Sequence, residues 1–314
     1  MFSIDIIFLV FLISSICIGF IGNSVLFTLY MYVFFTQSHL KRPVDLIFIH
    51  LTLVNVLTIM FKLIPDVASS FGVRHFLDDV GCKATLYTYR VTRGLSICTT
   101  SFLSAVQAIT ISPSTSIWTR LKSKLSTCIF PSLLFFWIIN MFIYIHIIKA
   151  VEANRNASFV GSGYSQLYCE GKPLGHYRSM AFISGMVIRD LFFVVLMMLS
   201  SIYMVSLLYK HRQRAQYVHS PSLSSQTSPE IKATHSILLL VSCFVFFYCA
   251  NNFITLYLFY RPEKNPRLER ITGIISACYP TICPFLLMKR KIISKFTSFI
   301  SKMRIPFSER TFRR

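Results

Sequence analysis

Apolar stretches of about 20 residues or more recur along the chain and are separated by shorter polar stretches. A stretch of about 20 apolar residues crosses the hydrocarbon core of a bilayer as an α-helix. The pattern predicts seven spans, at 6–35, 44–64, 80–112, 125–148, 179–209, 234–259 and 270–288. We therefore predict an all-α protein in which residues 1–314 form one seven-transmembrane-helix bundle.

The third predicted span is the most polar, because it contains Arg90, Arg93 and several hydroxyl side chains. The distribution of charge supports it as a span. With seven spans, one side of the membrane receives eighteen Lys and Arg residues but only two acids, whereas the other side receives ten Lys and Arg residues. Basic loops face the cytoplasm, so we predict the N-terminus outside and the C-terminus inside. The basic loops are 36–43, 113–124, 210–233 and the tail from 289.

Composition agrees with a membrane protein, since 54% of the residues are hydrophobic and only 14% are charged. The net charge of +20 could indicate a nucleic-acid partner, but loops that face the cytoplasm account for it. The apolar run Ile6–Phe35 is too long for a cleavable signal peptide and lacks a preceding basic segment. We therefore interpret it as the first span.

Two covalent features fit this orientation. Asn156 begins the sequon Asn-Ala-Ser, in a loop predicted to lie outside, and is a candidate glycosylation site. Cys82 and Cys169 are the two cysteines at or beyond the outer membrane surface, and in an oxidising compartment they should form a disulfide. This bond would join the top of the third span to the second outer loop.

The segment after the seventh span has apolar residues at helical spacing and lysines between them. This pattern is typical of a short amphipathic helix on the inner leaflet, which we predict at 290–302. The alternative is a disordered basic tail, and we predict disorder for 303–314. The apolar positions are Ile292, Ile293, Phe296, Phe299 and Ile300.

Arg90 and Arg93 share a helix face, because they are three residues apart. At 1.5 Å per residue, Arg90 lies roughly 12 Å and Arg93 roughly 16 Å below Cys82. A charge at this depth is costly unless it faces a cavity or a partner. Both arginines are therefore candidate ligand-binding residues.

Four more charged residues lie within or at the end of predicted spans and are further candidates for ligand binding. Lys62 and Asp66 are four residues apart and can pair. Arg189 and Asp190 are adjacent, and because adjacent helical side chains point about 100° apart we expect them not to satisfy each other. We expect Asp190, with Asp66 as the second candidate, to neutralise one arginine of the third span.

These charges have two interpretations. A closed network would only fix helix packing, whereas a cavity would leave Arg90, Arg93 or Arg189 available to contact ligand. For the cluster as a whole the sequence favours a pocket. Further candidates for its opposite wall are Phe182, Tyr248, Asn251, Asn252 and Tyr257.

The sixth span lacks proline, but the seventh contains Pro280 and Pro284. Each proline removes a helix hydrogen bond, so the two are candidate hinge residues. The histidines are scattered, and neither H-E-x-x-H nor G-x-S-x-G occurs. We therefore expect no metal, no cofactor and no enzymatic activity.

Several segments resemble the vomeronasal type-1 receptors, a family of pheromone-sensing G-protein-coupled receptors. "GNSVLF" and "LTLVN" are similar to motifs of rhodopsin-like receptors, although Asn55 stands where those carry Asp. Val106-Gln107-Ala108 replaces their Asp-Arg-Tyr, and "YPTICPF" replaces Asn-Pro-x-x-Tyr. The segments that resemble the vomeronasal branch are "SICTTSFLSAVQAITISPSTSIW", the block at 206–242 and "CYPTICPFLLMKR".

The resemblance implies a multi-pass plasma-membrane receptor of vomeronasal sensory neurons. It implies a small pheromone or odorant ligand and an inhibitory-type heterotrimeric G protein as partners. We expect the basic segments at the inner face to border the G protein, although their charge could serve only to set topology. The residues concerned are Arg120, Lys122, His211 and Arg212.

Two alternatives remain from the sequence. A bitter-taste-type receptor is the nearest chemosensory class, but that class lacks the inner-face blocks quoted above. A small-solute transporter would show repeated halves with interrupted helices, and no repeat is visible in the chain.

Overall fold

The computed structural model describes residues 2–36, 43–71, 77–113, 116–153, 169–171, 176–218, 229–260 and 266–288. These ranges form nine α-helices and two short strands. The helices are α1 (Phe2–Thr36), α2 (Pro43–Thr58), α3 (Ile64–Ser70), α4 (Asp79–Ile111), α5 (Ser116–Tyr144), α6 (Ile147–Ala150), α7 (His176–Val218), α8 (Pro229–Tyr260) and α9 (Pro266–Leu287), and the strands are β1 (Val151–Ala153) and β2 (Cys169–Gly171).

Six stretches within these ranges are long and apolar enough to cross a membrane, and Ile271–Leu287 is a shorter apolar helix. The predicted seven-helix membrane bundle is therefore confirmed. Helices continue beyond the predicted spans into basic segments: α5 begins at Ser116, and α7 ends at Val218. Hydropathy marks the width of the bilayer, whereas helical hydrogen bonds continue into water. The six long stretches are Ile6–Thr36, Pro43–Ser69, Asp79–Ile111, Trp118–Lys149, Ser184–Lys210 and Thr234–Ile254.

The second span is not a uniform α-helix, because the π-helical turn Ile59–Leu63 joins α2 to α3. At its end the Ile64 N–H bonds to the Ile59 carbonyl, five residues back. The next residue, Pro65, has no N–H, and in an α-helix its ring would clash with the carbonyl four residues earlier. The wider turn accommodates this proline, and it carries Lys62.

Helix α4 lies at the centre of the bundle. The most apolar stretch of α4 is 72% buried, whereas that of the span in α7 is only 17% buried. The outer face of α7 is apolar and exposed. The packing explains why the third span is polar, since hydroxyl groups in a protein interior can bond to neighbouring helices or to their own backbone. Thr99, for example, is fully buried and bonds both His50 and the Leu95 carbonyl.

A small β-hairpin covers one end of α4. Strands β1 and β2 pair antiparallel, with Ala153 opposite Cys169. Cys169 forms the predicted disulfide with Cys82 in the first turns of α4, and Asp78 caps that helix by accepting a 2.7 Å bond from the Gly81 N–H. The sequence analysis predicted an all-α protein, and these two strands, each only three residues long, are the difference from that prediction.

Several predictions lie outside the described residues. These are the sequon at Asn156, the surface helix at 290–302 and the disordered tail at 303–314. They stay predictions. The side chain of Phe182 also lies outside the described part of the structure.

Candidate functional site

A cavity lies at the meeting point of α2, α4, α8 and α9. It holds about 480 Å³ of space free of atoms, counting the part open to the exterior. Its lining is Asn55, Thr58, Tyr89, Arg93, Ser96, Phe244, Phe247, Tyr248, Asn251, Ile275, Ser276, Tyr279 and Pro280.

Arg93 reaches this cavity from α4, in agreement with the prediction that it faces a pocket. Its Nη2 donates a hydrogen bond to Oδ1 of Asn252 on α8. Its guanidinium carbon lies 5.2 Å from the ring centroid of Tyr248, within the range of a cation–π interaction. Arg93 thus contacts Asn252 and Tyr248 of α8, two residues that the sequence analysis proposed for the opposite wall of the pocket. Of the other residues suggested there, Asn251 lines the cavity, whereas Tyr257 is exposed and is not among its lining residues.

Arg189 and Asp190 form an ion pair, so the expectation that adjacent residues could not satisfy each other was wrong. Arg189 donates to Asp190 Oδ1 from Nε at 3.0 Å and from Nη2 at 2.7 Å. The argument from side-chain direction holds for Cβ atoms, but the long arginine side chain turns back toward its neighbour. Arg189 also donates to Asn140 Oδ1 and to the Tyr144 hydroxyl on α5, both at 2.9 Å.

Asp190 does not neutralise an arginine of the third span by direct contact. Its second oxygen, Oδ2, accepts a 2.6 Å hydrogen bond from the hydroxyl of Tyr248, and its ion pair is with Arg189. Since Tyr248 also lies against Arg93, one aromatic ring connects the two charged sites. The predicted pairing of Asp190 with a third-span arginine is replaced by this arrangement.

Gly94 lets α4 approach the charged cluster. A Cβ at this position would lie 1.9 Å from Asn140 Oδ1 and 3.0 Å from Arg189 Nη1. Any side chain would therefore displace Asn140, which is itself fully buried. Gly94, Asn140 and Tyr144 were missed in the sequence, where a single glycine or polar residue in an apolar span carries no distinctive spacing.

Lys62 and Asp66 pair as the sequence suggests, with Nζ 3.1 Å from Oδ2. The Lys62 ammonium also lies 5.4 Å from the ring centroid of Tyr89, a residue of the cavity wall. Arg90 lies 5.9 Å from the same ring but is not among the residues that line the cavity. The two arginines of the third span therefore have different surroundings.

The two prolines of α9 contact the first span. Pro284 has no N–H, so the Pro280 carbonyl four residues earlier lacks its helical donor. Asn23 supplies one, from Nδ2 at 2.8 Å, and its own Oδ1 accepts from Asn55 at 3.1 Å. Pro284 packs so closely on α1 that a Cβ at Gly22 would lie 2.9 Å from it.

The opposite end of α4 is held by uncharged side-chain contacts and by one lysine. Gln107, in the segment that replaces Asp-Arg-Tyr, donates from Nε2 to Thr234 Oγ1 on α8 at 3.2 Å. Lys122 donates to the Ser112 carbonyl at 2.7 Å, and Ser112 bonds Tyr203 on α7 at 3.0 Å. Lys122 therefore has a local role at the end of α4.

The other predicted G-protein contacts are Arg120, His211 and Arg212. Arg120 is exposed near the start of α5. The side chains of His211 and Arg212, near the end of α7, lie outside the described part. The exposed position of Arg120 leaves its guanidinium accessible from this end of the bundle.

Seven apolar helices, a disulfide at one end of the central helix and a cavity within the bundle are typical of a membrane receptor of the G-protein-coupled class. The model of the vomeronasal organ pheromone receptor family matches residues 6–299. The chain therefore belongs to the vomeronasal type-1 receptor family.

Individual relatives agree with the family match. Vomeronasal type-1 receptor 3 of Homo sapiens is 35% identical over 283 residues, which cover 89% of each chain. Vomeronasal type-1 receptor 4 of Homo sapiens is 34% identical over 279 residues, 88% of this chain and 92% of the relative. Vomeronasal type-1 receptor 40 of Mus musculus is 33% identical over 290 residues, 91% of this chain and 92% of the relative.

Family membership decides between the classes considered from the sequence. The chain is a multi-pass plasma-membrane chemosensory receptor, not an enzyme. It belongs to the vomeronasal branch rather than to the bitter-taste receptors, and it is not a transporter.

Proposed function

We propose that this receptor binds a small pheromone-like molecule in the cavity lined by Arg93 and activates an inhibitory-type heterotrimeric G protein at the opposite end of the bundle. The observation that carries the proposal is the cavity itself. Arg93 lies roughly 16 Å along α4 from the disulfide at Cys82, at 1.5 Å per residue. This distance supports a ligand position in the half of the bundle that is predicted to face outward.

The lining suits a small amphipathic molecule. Phe244, Phe247 and Ile275 provide apolar contact, while Arg93 and Ser96 provide directed hydrogen bonds. Ligand sites are mostly apolar with a few polar groups that fix orientation, and the cavity has this composition.

Aromatic rings connect the cavity to the helices around it. The Phe244 ring centroid lies 5.2 Å from that of Tyr248 and 4.7 Å from that of Tyr279 on α9. A ligand shifts a conformational equilibrium only through its different affinities for the two states. If α8 and α9 move relative to α4, the contacts between the ligand and these rings change. The ligand then has different affinities for the two states.

The G-protein surface is proposed at the end where Gln107 meets Thr234. The basic residues proposed for it are Arg120, Lys122, His211 and Arg212. If Lys122 is recruited, the Ser112 carbonyl needs another donor. The inhibitory type of G protein rests on the family to which the chain belongs.

The cavity is tested by filling it. Ile275→Trp adds bulk inside the cavity, while Ile271→Trp, one turn away on the same helix, adds it at an exposed position. In transfected cells with equal surface expression, we expect Ile275→Trp to lose the response to any activating compound and Ile271→Trp to keep it. Equal responses from both variants would move the ligand elsewhere.

The G-protein type is tested separately. The receptor is expressed with G proteins of each class, and nucleotide exchange is measured with and without pertussis toxin. We expect exchange on the inhibitory type that the toxin abolishes. Exchange confined to another class would refute this part of the proposal and leave the cavity unaffected.

A further inference from the structure

Helix α5 carries its basic residues in one short stretch near its start. These are Arg120, Lys122 and Lys124, and no acidic residue occurs in Ser116–Tyr144. Arg120 and Lys124 are exposed, whereas Lys122 is half-buried and donates to the Ser112 carbonyl at 2.7 Å. Within the part of the chain that the structure describes, the head groups of Arg120 and Lys124 have no hydrogen-bond or ion-pair partner. Two of the three cations are therefore available to a partner outside the chain.

Arg120 and Lys124 lie on the face of α5 that is turned toward the membrane. Residues that follow Arg120 by 4, 14 and 18 positions point within about 40° of it, because an α-helix has 3.6 residues per turn. These are Lys124, Leu134 and Ile138. Leu134 and Ile138 are 47% and 54% exposed within an apolar span, so the basic pair continues a stripe that contacts lipid. Lys122 points about 160° away from Arg120.

The two cations lie at the level of the lipid headgroups. Trp118, two residues before Arg120, stacks on Tyr203 of α7 with ring centroids 5.8 Å apart, and Trp and Tyr are enriched at membrane–water interfaces. Lys124 lies about 15 Å along the helix from Leu134, at 1.5 Å per residue. This distance is half the thickness of a hydrocarbon core of about 30 Å. The stripe between these two residues therefore matches one leaflet in length.

We infer that this face of α5 binds an anionic phospholipid of the inner leaflet, with the headgroup phosphate between Arg120 and Lys124 and an acyl chain along Leu134 and Ile138. The cytoplasmic leaflet carries anionic lipids, which attract Lys and Arg residues near its surface. The inference rests on the predicted orientation of the bundle, in which the start of α5 lies inside. It does not depend on the ligand of the cavity.

The G protein is the competing partner for these two cations. The surface proposed for it lies at the end of the bundle, where Lys122 bonds Ser112. Arg120 and Lys124 instead point to the side of the bundle, in line with the exposed apolar stripe. A phospholipid complements both the charge and the stripe, whereas a soluble protein does not reach side chains within the hydrocarbon core.

The experiment measures lipid binding to the full-length receptor in detergent by native mass spectrometry, without a G protein. The probes are dioleoyl phosphatidylserine and dioleoyl phosphatidylcholine, which have the same acyl chains. Glycerophosphoserine serves as a competitor that has the headgroup but no acyl chain. Tm shows that each variant is folded.

The variants are Arg120→Gln, Lys124→Gln and the combination of the two. The matched control combines Lys83→Gln with Lys149→Gln. It removes the same net charge at the end of the bundle that carries the disulfide, since Lys83 follows Cys82 and Lys149 lies in α6.

We expect the wild-type receptor to bind phosphatidylserine about 25-fold more tightly than phosphatidylcholine, about fivefold for each of two basic residues. Each single variant should keep about fivefold of this preference, and the double variant should have none. The control should keep all of it. Glycerophosphoserine at millimolar concentration should not displace the lipid, because it cannot contact the apolar stripe.

Other outcomes overturn the inference. Equal affinity of the wild-type receptor for the two lipids would exclude a site for an anionic lipid, whatever the variants do. Preference that survives in the double variant would assign it to another segment, and an equal loss in the control would reduce it to net charge. Displacement by glycerophosphoserine would indicate a site for a small anion.

A separate measurement distinguishes the lipid from the G protein. Nucleotide exchange is recorded in nanodiscs of phosphatidylcholine alone, where no anionic lipid is present. We expect the double variant to match the wild-type receptor there. A double variant that lowers exchange in these nanodiscs and keeps its preference for phosphatidylserine would assign Arg120 and Lys124 to the G protein instead.

Discussion

The hydroxyl of Tyr248 donates a 2.6 Å hydrogen bond to Oδ2 of Asp190, which joins α8 to α7 inside the bundle. The ring of the same tyrosine lines the cavity and lies 5.2 Å from the Arg93 guanidinium. One side chain thus touches both the cavity and the buried ion pair.

Tyr248→Phe keeps the aromatic ring but removes the hydroxyl group that donates to Asp190. Asp190 would then lose one of its partners in a buried setting, and we expect the free energy of unfolding to fall by about 1–3 kcal/mol. The measurement is Tm of the purified receptor. Tyr209→Phe, at an exposed position of α7, is the control and should leave Tm unchanged. An unchanged Tm in Tyr248→Phe would mean that the bond contributes nothing.

Removing one partner of the Arg189–Asp190 ion pair should destabilise the receptor far more than removing both partners. Asp190→Asn or Arg189→Gln leaves one charge without its partner, at a cost of about 3–5 kcal/mol. We expect each single variant to reach the cell surface poorly. The double variant should lose less than the sum of the two single losses, and a strictly additive result would show that the charges are independent.

Gly94→Ala should disrupt the packing of α4 on α5. The new methyl group would overlap Asn140 Oδ1, which lies 1.9 Å from the Cβ position. We expect a loss of about 1–3 kcal/mol, as for other overpacked cores, measured as Tm. Gly185→Ala is the matched control, because nothing lies within 4 Å of its Cβ position. Partial rescue by Asn140→Ala in the Gly94→Ala background would identify the clash.

Gln107→Leu should raise signalling in the absence of ligand. The variant removes the 3.2 Å bond to Thr234 that holds the ends of α4 and α8 together, so separation of these ends costs less. Thr234→Val removes the same bond from the other side and should have the same effect. Thr110→Val is the control, since the Thr110 hydroxyl bonds its own helix backbone at Val106. Basal nucleotide exchange is the measurement, and unchanged exchange in both variants would rule out this contact as a restraint.

The fold could be predicted because bilayer thickness imposes a length on membrane spans, and six described helices meet that length while a shorter apolar helix, Ile271–Leu287, supplies the seventh. The cost of placing a charge in a membrane predicted that Arg90 and Arg93 both face a cavity or a partner. Only Arg93 is among the residues that line the cavity. The partner of Asp190 did not follow, because a sequence gives Cβ directions and not the reach of an arginine side chain. Asn140 and Gly94 were missed for a related reason: their roles exist only across the contact between α4 and α5.

The hydrogen bond from Asn23 to the Pro280 carbonyl also concerns how the protein is made. Helix α9 is synthesised after the other described helices, and its backbone is completed by a side chain from α1, which is synthesised first. This helix therefore inserts with a polar group that the first helix satisfies. We expect the contact between α1 and α9 to form late in assembly, because α9 is the last of the described helices to be synthesised.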